Sequence, residues 1–373
     1  GGINTAVTNV SGLSEGRKRH FEIRDVDVSA SKTISYHNAE TLGSKISIAY
    51  AHTLHIAVGK KGWFSNEDYL ELHLKKNQTA VFTKIYSIFT KDKTESLDIK
   101  SRAVKALQEN LDEGFSKLLE KHSNAWNSLW GNADIKVKGN EEIQRNLRFT
   151  LYHMMISGID DNGASSIGAK TLSGEGYRGH IFWDLEIFLL PFFIYTNPSI
   201  ARSMLLYRIN RLDKARKIAK SKKYKGTMFP WESARTGEEE TPTWSRNLDG
   251  TVIRIHTNEF EHHITADIAY ALYHYYLASG DEDFMLKHGY ELLIESARFW
   301  ASRVKFNKNK RKFEIRHVIG PDEFHENVNN NAFTNMLARW NLFIAYGMFM
   351  RMRKIHPTEH SALLKKIGMR ENE

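Results

Sequence analysis

Three short stretches of the chain combine aromatic plates with carboxylates and amides. The first runs Gly176-Tyr177-Arg178-Gly179-His180-Ile181-Phe182-Trp183-Asp184. The second runs Met228-Phe229-Pro230-Trp231-Glu232-Ser233 and continues to Glu238-Glu239-Glu240-Thr241-Pro242-Thr243-Trp244. The third runs Ile319-Gly320-Pro321-Asp322-Glu323-Phe324-His325-Glu326, followed by Asn329-Asn330-Asn331. This mixture suits a sugar. A pyranose lays its apolar face on Trp or Phe, and its hydroxyl rim needs acceptors and donors that Asp, Glu, Asn and His supply. Cleavage of a glycosidic bond also needs a protonated carboxylic acid beside the leaving oxygen.

Each stretch has a plainer reading. Trp183-Asp184 also fits a buried Trp beside a helix N-cap. Pro230-Trp231-Glu232 also fits a turn whose Trp plugs a core. Pro321-Asp322-Glu323 also fits an acidic helix start favoured by the dipole. The run Glu238–Glu240 reads as solvated. His262 and His263 are adjacent on a helix and cannot face one metal ion, so no metal site is expected there.

The elements that must carry these loops follow from periodicity. Ile46, Ile48, Tyr50, Leu54, Ile56 and Val58 fall on alternate positions, the pattern of a half-buried strand. Leu70, Leu72 and Leu74 alternate likewise, the turn Lys75–Gln78 follows, and Val81 to Thr90 is β-branched and aromatic. The period then changes. Val104, Leu107, Leu111, Phe115, Leu118, Trp126 and Leu129 mark a long helix or helix pair, weakened at Gly114 and ending at Gly131. From about Asn140 onward helix follows helix. Their stripes are Ile143-Leu147-Leu151-Met154, Ile264-Ile268-Leu272-Tyr275, Leu286-Tyr290-Leu293-Ala297-Trp300 and Leu337-Trp340-Ile344-Met348. Gly280 ends the second of these helices, and Asp281 caps the next. The reading is an α+β chain: a β domain over residues 1–97, a helical linker over 98–138 and a helical domain over 139–373.

Composition narrows the class. The chain has 373 residues, with 41% hydrophobic and 26% charged, which fits a folded protein of two domains or one large domain. It has no cysteine, which excludes disulfides, thiolate metal sites and a cysteine nucleophile, and leaves the cytoplasm as the default location. The formal net charge is +9, and its densest run lies between Arg211 and Lys225. No stacking aromatics alternate with those lysines, so nucleic acid is not the expected partner. The apolar run Ile187–Tyr195 is too short to span a membrane and contains Pro191. Gly1 stands where an initiator Met would, so the chain is expected to begin partway through a longer protein.

Together the loops carry a resemblance. The stretch from Gly176 to Trp244 resembles glycoside hydrolase family 65, which includes the maltose, trehalose, kojibiose and nigerose phosphorylases. The runs Glu261-His262-His263-Ile264-Thr265-Ala266-Asp267-Ile268-Ala269-Tyr270 and Phe299-Trp300-Ala301-Ser302-Arg303-Val304 are similar to that family too. The segment from Val318 to Asn335 resembles the one bearing the family's catalytic acid. The likeness is dense from about residue 125 to 350, and rests on position and strand pattern over residues 1 to 95.

The resemblance implies the C-terminal part of a β-sandwich, a helical linker and roughly the first half of an (α/α)6 barrel. It makes Glu323 the general acid. It makes Trp183, Asp184, Trp231, Glu232, His263 and Asp267 substrate-binding residues, the last two at family positions near the site with a less defined role. It implies inverting phosphorolysis of an α-glucosyl disaccharide to β-glucose 1-phosphate, with inorganic phosphate as substrate, no cofactor, and a homodimer for the full-length protein. The Asp322–Glu326 and Asn329–Asn331 segments lean toward kojibiose-type members. Glu323 must then be protonated at working pH, and burial against Phe324 is expected to raise its pKa. The family's phosphate loop and Lys-Gln motif have no counterpart here and are expected beyond Glu373. A half-barrel leaves apolar helix faces exposed. A family hydrolase such as an acid trehalase-like enzyme, which uses a second carboxylate to activate water, and an inactive chain that binds sugar stay open as alternatives.

Overall fold

A computed structural model describes residues 6–7, 18–19, 21–28, 33–42, 45–65, 70–91, 96, 98–174, 176–246 and 249–371. The chain divides into two compact units, one reaching Trp130 and the other running from Gly131. The mixed α+β class follows directly from these two units.

The first unit keeps the strand read in the sequence, but apart from Ile56 the small residues between the alternating apolar ones face the core, where alanines leave room for a packed helix. Strand Ser47–Val58 buries Ala49, Ala51, Thr53 and Ile56 and turns Tyr50 and His52 to the other face. It is the centre of a five-stranded antiparallel sheet. Ala80–Lys91 pairs along its whole length. Ser35–Thr41 and then Lys61–Ser65 share its other edge, and Phe21–Val28 extends the sheet beyond Ser35–Thr41. The turn at Lys75–Gln78 forms as predicted, with Asn77 at positive φ and the Gln78 N–H donating to Lys75 O. Leu70–Leu74 does not form the strand its alternation suggests. It joins no ladder, and Leu74 is exposed, so its period-two pattern has no sheet to face.

Helix Ile99–Glu113 covers one face of this sheet. Asp98 caps it by accepting from Lys100 N and Ser101 N. Ile99, Ala103 and Leu107 close a core with Ile34, Tyr36, Ala49 and Ala51. Gly114, at φ +78°, separates this helix from the next, Phe115–Ala133, which runs on through Gly131 because that residue keeps helical backbone.

The second unit centres on helix Ile264–Ser279. Its Ile264, Ile268 and Leu272 are fully buried, and so is the first turn, where Thr265 and Asp267 sit. Gly280 ends it in the left-handed conformation, and Asp281 caps the following turn through Phe284 N, as the sequence predicts. Around it pack Leu190–Thr196, Pro198–Ile209, Tyr290–Arg303 and Ala332–Ile355. Two of these neighbours are entered through five-residue π turns, Leu185–Leu189 and Met285–Gly289. On Ala332–Ile355, Leu337 and Met348 are buried while Met336, Phe343, Tyr346 and Met350 are exposed on another face. No helix among the described residues is long and apolar enough to cross a membrane.

The second loop is aimed by one close approach. Gly226 has φ +67°, and a Cβ there would sit 2.0 Å from Glu295 O. This lets Thr227 N donate to Glu295 O and Met228 N to Ala215 O, at 3.0 and 3.1 Å. Gly226→Ala is therefore expected to lower unfolding stability by about 2 kcal/mol or more, from the left-handed backbone and the clash together. The urea midpoint measures it, and an unchanged midpoint contradicts the assignment.

Candidate active site

Charged residues inside apolar stretches hold the first two loops. Arg208 ends helix Pro198–Ile209 and is fully buried. Its guanidinium donates to both Glu186 oxygens at 2.7 and 3.0 Å, to Ser233 Oγ at 3.1 Å and to Phe182 O at 3.0 Å. Phe182 precedes Trp183, and Ser233 follows Glu232, so one side chain sets both loops. Burial pushes the Glu186 carboxyl up, and the Arg208 charge opposes that. Three residues on, Arg211 donates to Gly163 O, Ala164 O, Tyr207 O and Arg235 O. Ile181 and Ser233 exchange backbone hydrogen bonds at 2.8 and 3.0 Å, closing the loops on each other.

Within this frame Trp183 is half-buried and Trp231 only 4% exposed, packed in the helical core. Asp184 is half-buried, and burial raises its pKa. It stands at the start of the π turn without a side-chain capping bond, so the plain N-cap reading does not describe it. Glu232 is buried and meets His180 Nδ1 at 2.8 Å. The Glu238–Glu240 run is not uniformly solvated, because Glu239 turns inward. It accepts from Trp231 N, Glu232 N and Thr241 Oγ1 at 2.9, 3.2 and 2.6 Å.

Behind the tryptophans lies His263, with no exposed surface. Its Nδ1 is 2.6 Å from Asp267 Oδ2, one helical turn on, and its Nε2 is 3.2 Å from Glu261 Oε1. The ring packs edge-to-face on Trp183, Trp231 and Phe333, with centroids 4.9, 5.3 and 5.1 Å away. Burial alone lowers an imidazole pKa, but Asp267 and Glu261 override it and raise His263 to about 9. Burial lifts Glu261 to about 7 against the pull of His263, with Glu323 and Asp267 adding to the rise.

The third loop presents Glu323. Asp322–Asn327 forms turns rather than the helix start its acidic residues allow. Val318 and Val328 pair across the loop base, and Ile319 N donates to Phe260 O at 3.0 Å, just before Glu261 and His263. The Asn329–Asn331 amides serve the loop itself: they accept from His317 N, Ile315 N and Thr334 N. Glu323 is exposed at the loop surface, and its pKa is raised. Partial desolvation is the largest cause, and Glu232 and Asp184 add to it while His263 opposes. The expected packing against Phe324 is corrected: that ring is 98% exposed. Desolvation by other neighbours does what that ring does not, and the like charges of the first two loops add to it.

Glu232, Asp184 and His263 thus act electrostatically on Glu323, with Trp183 and Trp231 both packed on the His263 ring and Asp267 hydrogen-bonded to it. Sequence reasoning missed Glu186, Arg208, Glu239, Glu261 and Phe333 as parts of the site. Glu186 and Arg208 carried a legible signal, each being a lone charge in an apolar run.

Two outcomes follow. Arg208→Met leaves the Glu186 carboxylate buried and unpaired, with an expected loss of about 3–5 kcal/mol that Glu186→Gln on the same chain largely restores; a double-mutant denaturation cycle measures it. His263 holds its proton more tightly folded than unfolded. Its contribution is complete below the unfolded value near 6.5 and is lost as pH rises through about 9. The urea midpoint should fall across that window, and Asp267→Asn should flatten the fall.

Both parts of the chain are similar to known proteins. Residues 148–371 match the central catalytic domain of glycosyl hydrolase family 65, and residues 1–129 match the family's N-terminal domain. A kojibiose phosphorylase of Caldanaerobacter subterraneus subsp. tengcongensis is 44% identical over 83% of this chain and 40% of its own length. One from Thermoanaerobacter brockii is 40% identical over 98% of this chain and 49% of its own length. A human-microbiome protein of known structure, provisionally described as a kojibiose phosphorylase, superposes with a TM-score of 0.73 at 26% identity, over 95% of this chain and 46% of that one. The chain spans about half the length of the curated relatives it matches. On its sequence and its fold together, the chain belongs to glycoside hydrolase family 65.

Proposed function

We propose that the complete protein is an inverting disaccharide phosphorylase acting on an α-glucoside, with kojibiose as the first substrate to try. The reading rests on one observation. Three loops far apart in sequence bring a carboxyl with a raised pKa, Glu323, into the field of Glu232 and Asp184. A carboxyl whose ionisation is disfavoured, beside two hydroxyl-accepting carboxylates and a half-buried tryptophan, is what glycoside cleavage needs. The kojibiose phosphorylases among the relatives support the substrate.

In this mechanism the glucosyl unit lies against Trp183, with its hydroxyls accepted by Asp184 and Glu232. Glu323 gives its proton to the glycosidic oxygen as the bond from that oxygen to the anomeric carbon breaks. A phosphate oxygen attacks the same carbon from the opposite face, so the configuration inverts and β-glucose 1-phosphate forms. No second catalytic carboxylate is required, because phosphate arrives as an anion. The reading calls for no metal or organic cofactor. His263 and Asp267, both without solvent exposure, act from behind the pocket wall. The helices from Glu141 onward belong in this reading to an (α/α)6 barrel, and the sheet to a β-sandwich. The exposed apolar face of Ala332–Ile355 suits a helix that meets further barrel helices.

A hydrolytic reading has its own support: a kojibiose hydrolase of Flavobacterium johnsoniae is 43% identical over 68% of this chain. Phosphate dependence separates the two. The complete protein should release β-glucose 1-phosphate from kojibiose only with inorganic phosphate present, and glucose release in phosphate-free buffer favours hydrolysis. Glu323→Gln should cut turnover by about 10²–10⁴-fold while sugar affinity changes little. A variant of undiminished activity removes Glu323 from the role of acid.

A further inference from the structure

Asp267 and Glu261 leave His263 little choice of protonation. Once Glu261 has ionised, above about pH 7, both carboxylates only accept hydrogen bonds, so both ring nitrogens can donate at once only from an imidazolium. The cation is sealed from water by the edges and faces of Trp183, Trp231 and Phe333. Glu261 is as deeply buried, and its Oε2 has no hydrogen-bond partner. The ring nitrogen therefore carries the compensation of that carboxylate.

The unit adjoins the acid through both its chain and its charge. Glu261 follows Phe260, whose carbonyl anchors Ile319 at the start of the Glu323 loop. Glu323 and Glu261 repel, while His263 pulls the Glu323 carboxyl toward ionisation. The groups facing the imidazole are Asp267 on its own helix, Glu261 on the preceding turn and Glu323 on the third loop. His262 lies beside it in the chain, and Glu186 and Arg208 act on Asp267 from behind.

We propose that Glu261, His263 and Asp267 form a buried positioning unit for the acid: the imidazolium fixes the Trp183 ring, and the charges of the unit bear on the Glu323 carboxyl. The proposal rests on the phosphorolysis reading, because it assigns the unit to the same site. Neither His263 nor Glu261 touches the sugar. Their opposite charges pull the acid in opposite directions. When Glu323 gives its proton to the leaving oxygen, His263 steadies the new carboxylate and Glu261 opposes it.

The test is the pH dependence of kcat/KM for the complete protein on kojibiose and inorganic phosphate. Activity falls on the alkaline side as Glu323 loses its proton. His263→Gln should move that limb up by about half a pH unit or more, and Glu261→Gln should move it down. A merely structural role lowers kcat or raises KM and leaves the limb in place. Limbs that stay put, or move the same way in both variants, overturn the proposal.

Tryptophan fluorescence provides a readout independent of turnover, because an imidazolium quenches a neighbouring indole and a neutral imidazole does so far less. Emission of the complete protein should rise through a transition between about pH 7 and 10. Trp183→Phe should shrink the transition, His263→Gln should abolish it and Asp267→Asn should shift it to lower pH. If the complete protein cleaves no α-glucoside, the phosphorolysis reading fails, and this titration decides the unit alone. A wild-type protein without the transition, or a transition that survives in His263→Gln, rejects the unit. Should His263→Gln not fold, the direction of the Asp267→Asn shift decides in its place.

Discussion

The buried contact between Arg208 and Glu186 is the constraint on which the site depends. A guanidinium taken out of water must have nearly every N–H satisfied, and here the partners are a carboxylate, a hydroxyl and a main-chain carbonyl from two loops. Neither loop can shift without stranding a charge in the core. Arg211, in the turn just after that helix, extends the arrangement to Gly163 and Ala164, so stretches some seventy residues apart in sequence answer to two arginines three positions apart. The rigidity lies in donors and acceptors rather than in regular structure, which suits loops that must present side chains outward.

The charge pattern of the site follows from that fixed geometry. Glu323 is held where Glu232 and Asp184 disfavour its ionisation, and the His263 charge that opposes them lies behind the wall. Such crowding is costly to stability, and a helical core packed around Ile264–Ser279 offsets the cost. The carboxylate most exposed to solvent is also the one whose proton the proposed chemistry uses, and it is the one carried by a turn-rich loop.

The period of apolar residues made the elements legible. Ser47–Val58, Ala80–Lys91 and the four helical stripes follow from it, as do Gly114, Gly280 and Asp281 at their ends. Leu70–Leu74 shows the limit: alternation describes two faces but cannot say whether a neighbouring strand exists to pair with. The three loops stood out by composition, and the structure brings them together. What the sequence did not reveal was which acids turn inward. Glu239 lies between Glu238 and Glu240, and nothing local distinguishes it; its role follows from the two main-chain N–H groups the Trp231 turn leaves open. Phe324 failed as the partner of Glu323 for a similar reason, since adjacency in a loop says nothing about shared orientation.

The π turn at Leu185–Leu189 bears on how this segment tolerates change. A π turn holds one residue more than an α turn. Because the turn takes up that extra residue within itself, a deletion inside Leu185–Leu189 that let an α turn close would leave Trp183 and Asp184 facing as they do now. A deletion in the α turns of Leu190–Thr196 has no such slack and would rotate everything on the N-terminal side by roughly 100° about the helix axis. A homologue with a one-residue gap inside the π turn would therefore be expected to keep this pocket wall, whereas a gap just beyond it would be expected to reshape it.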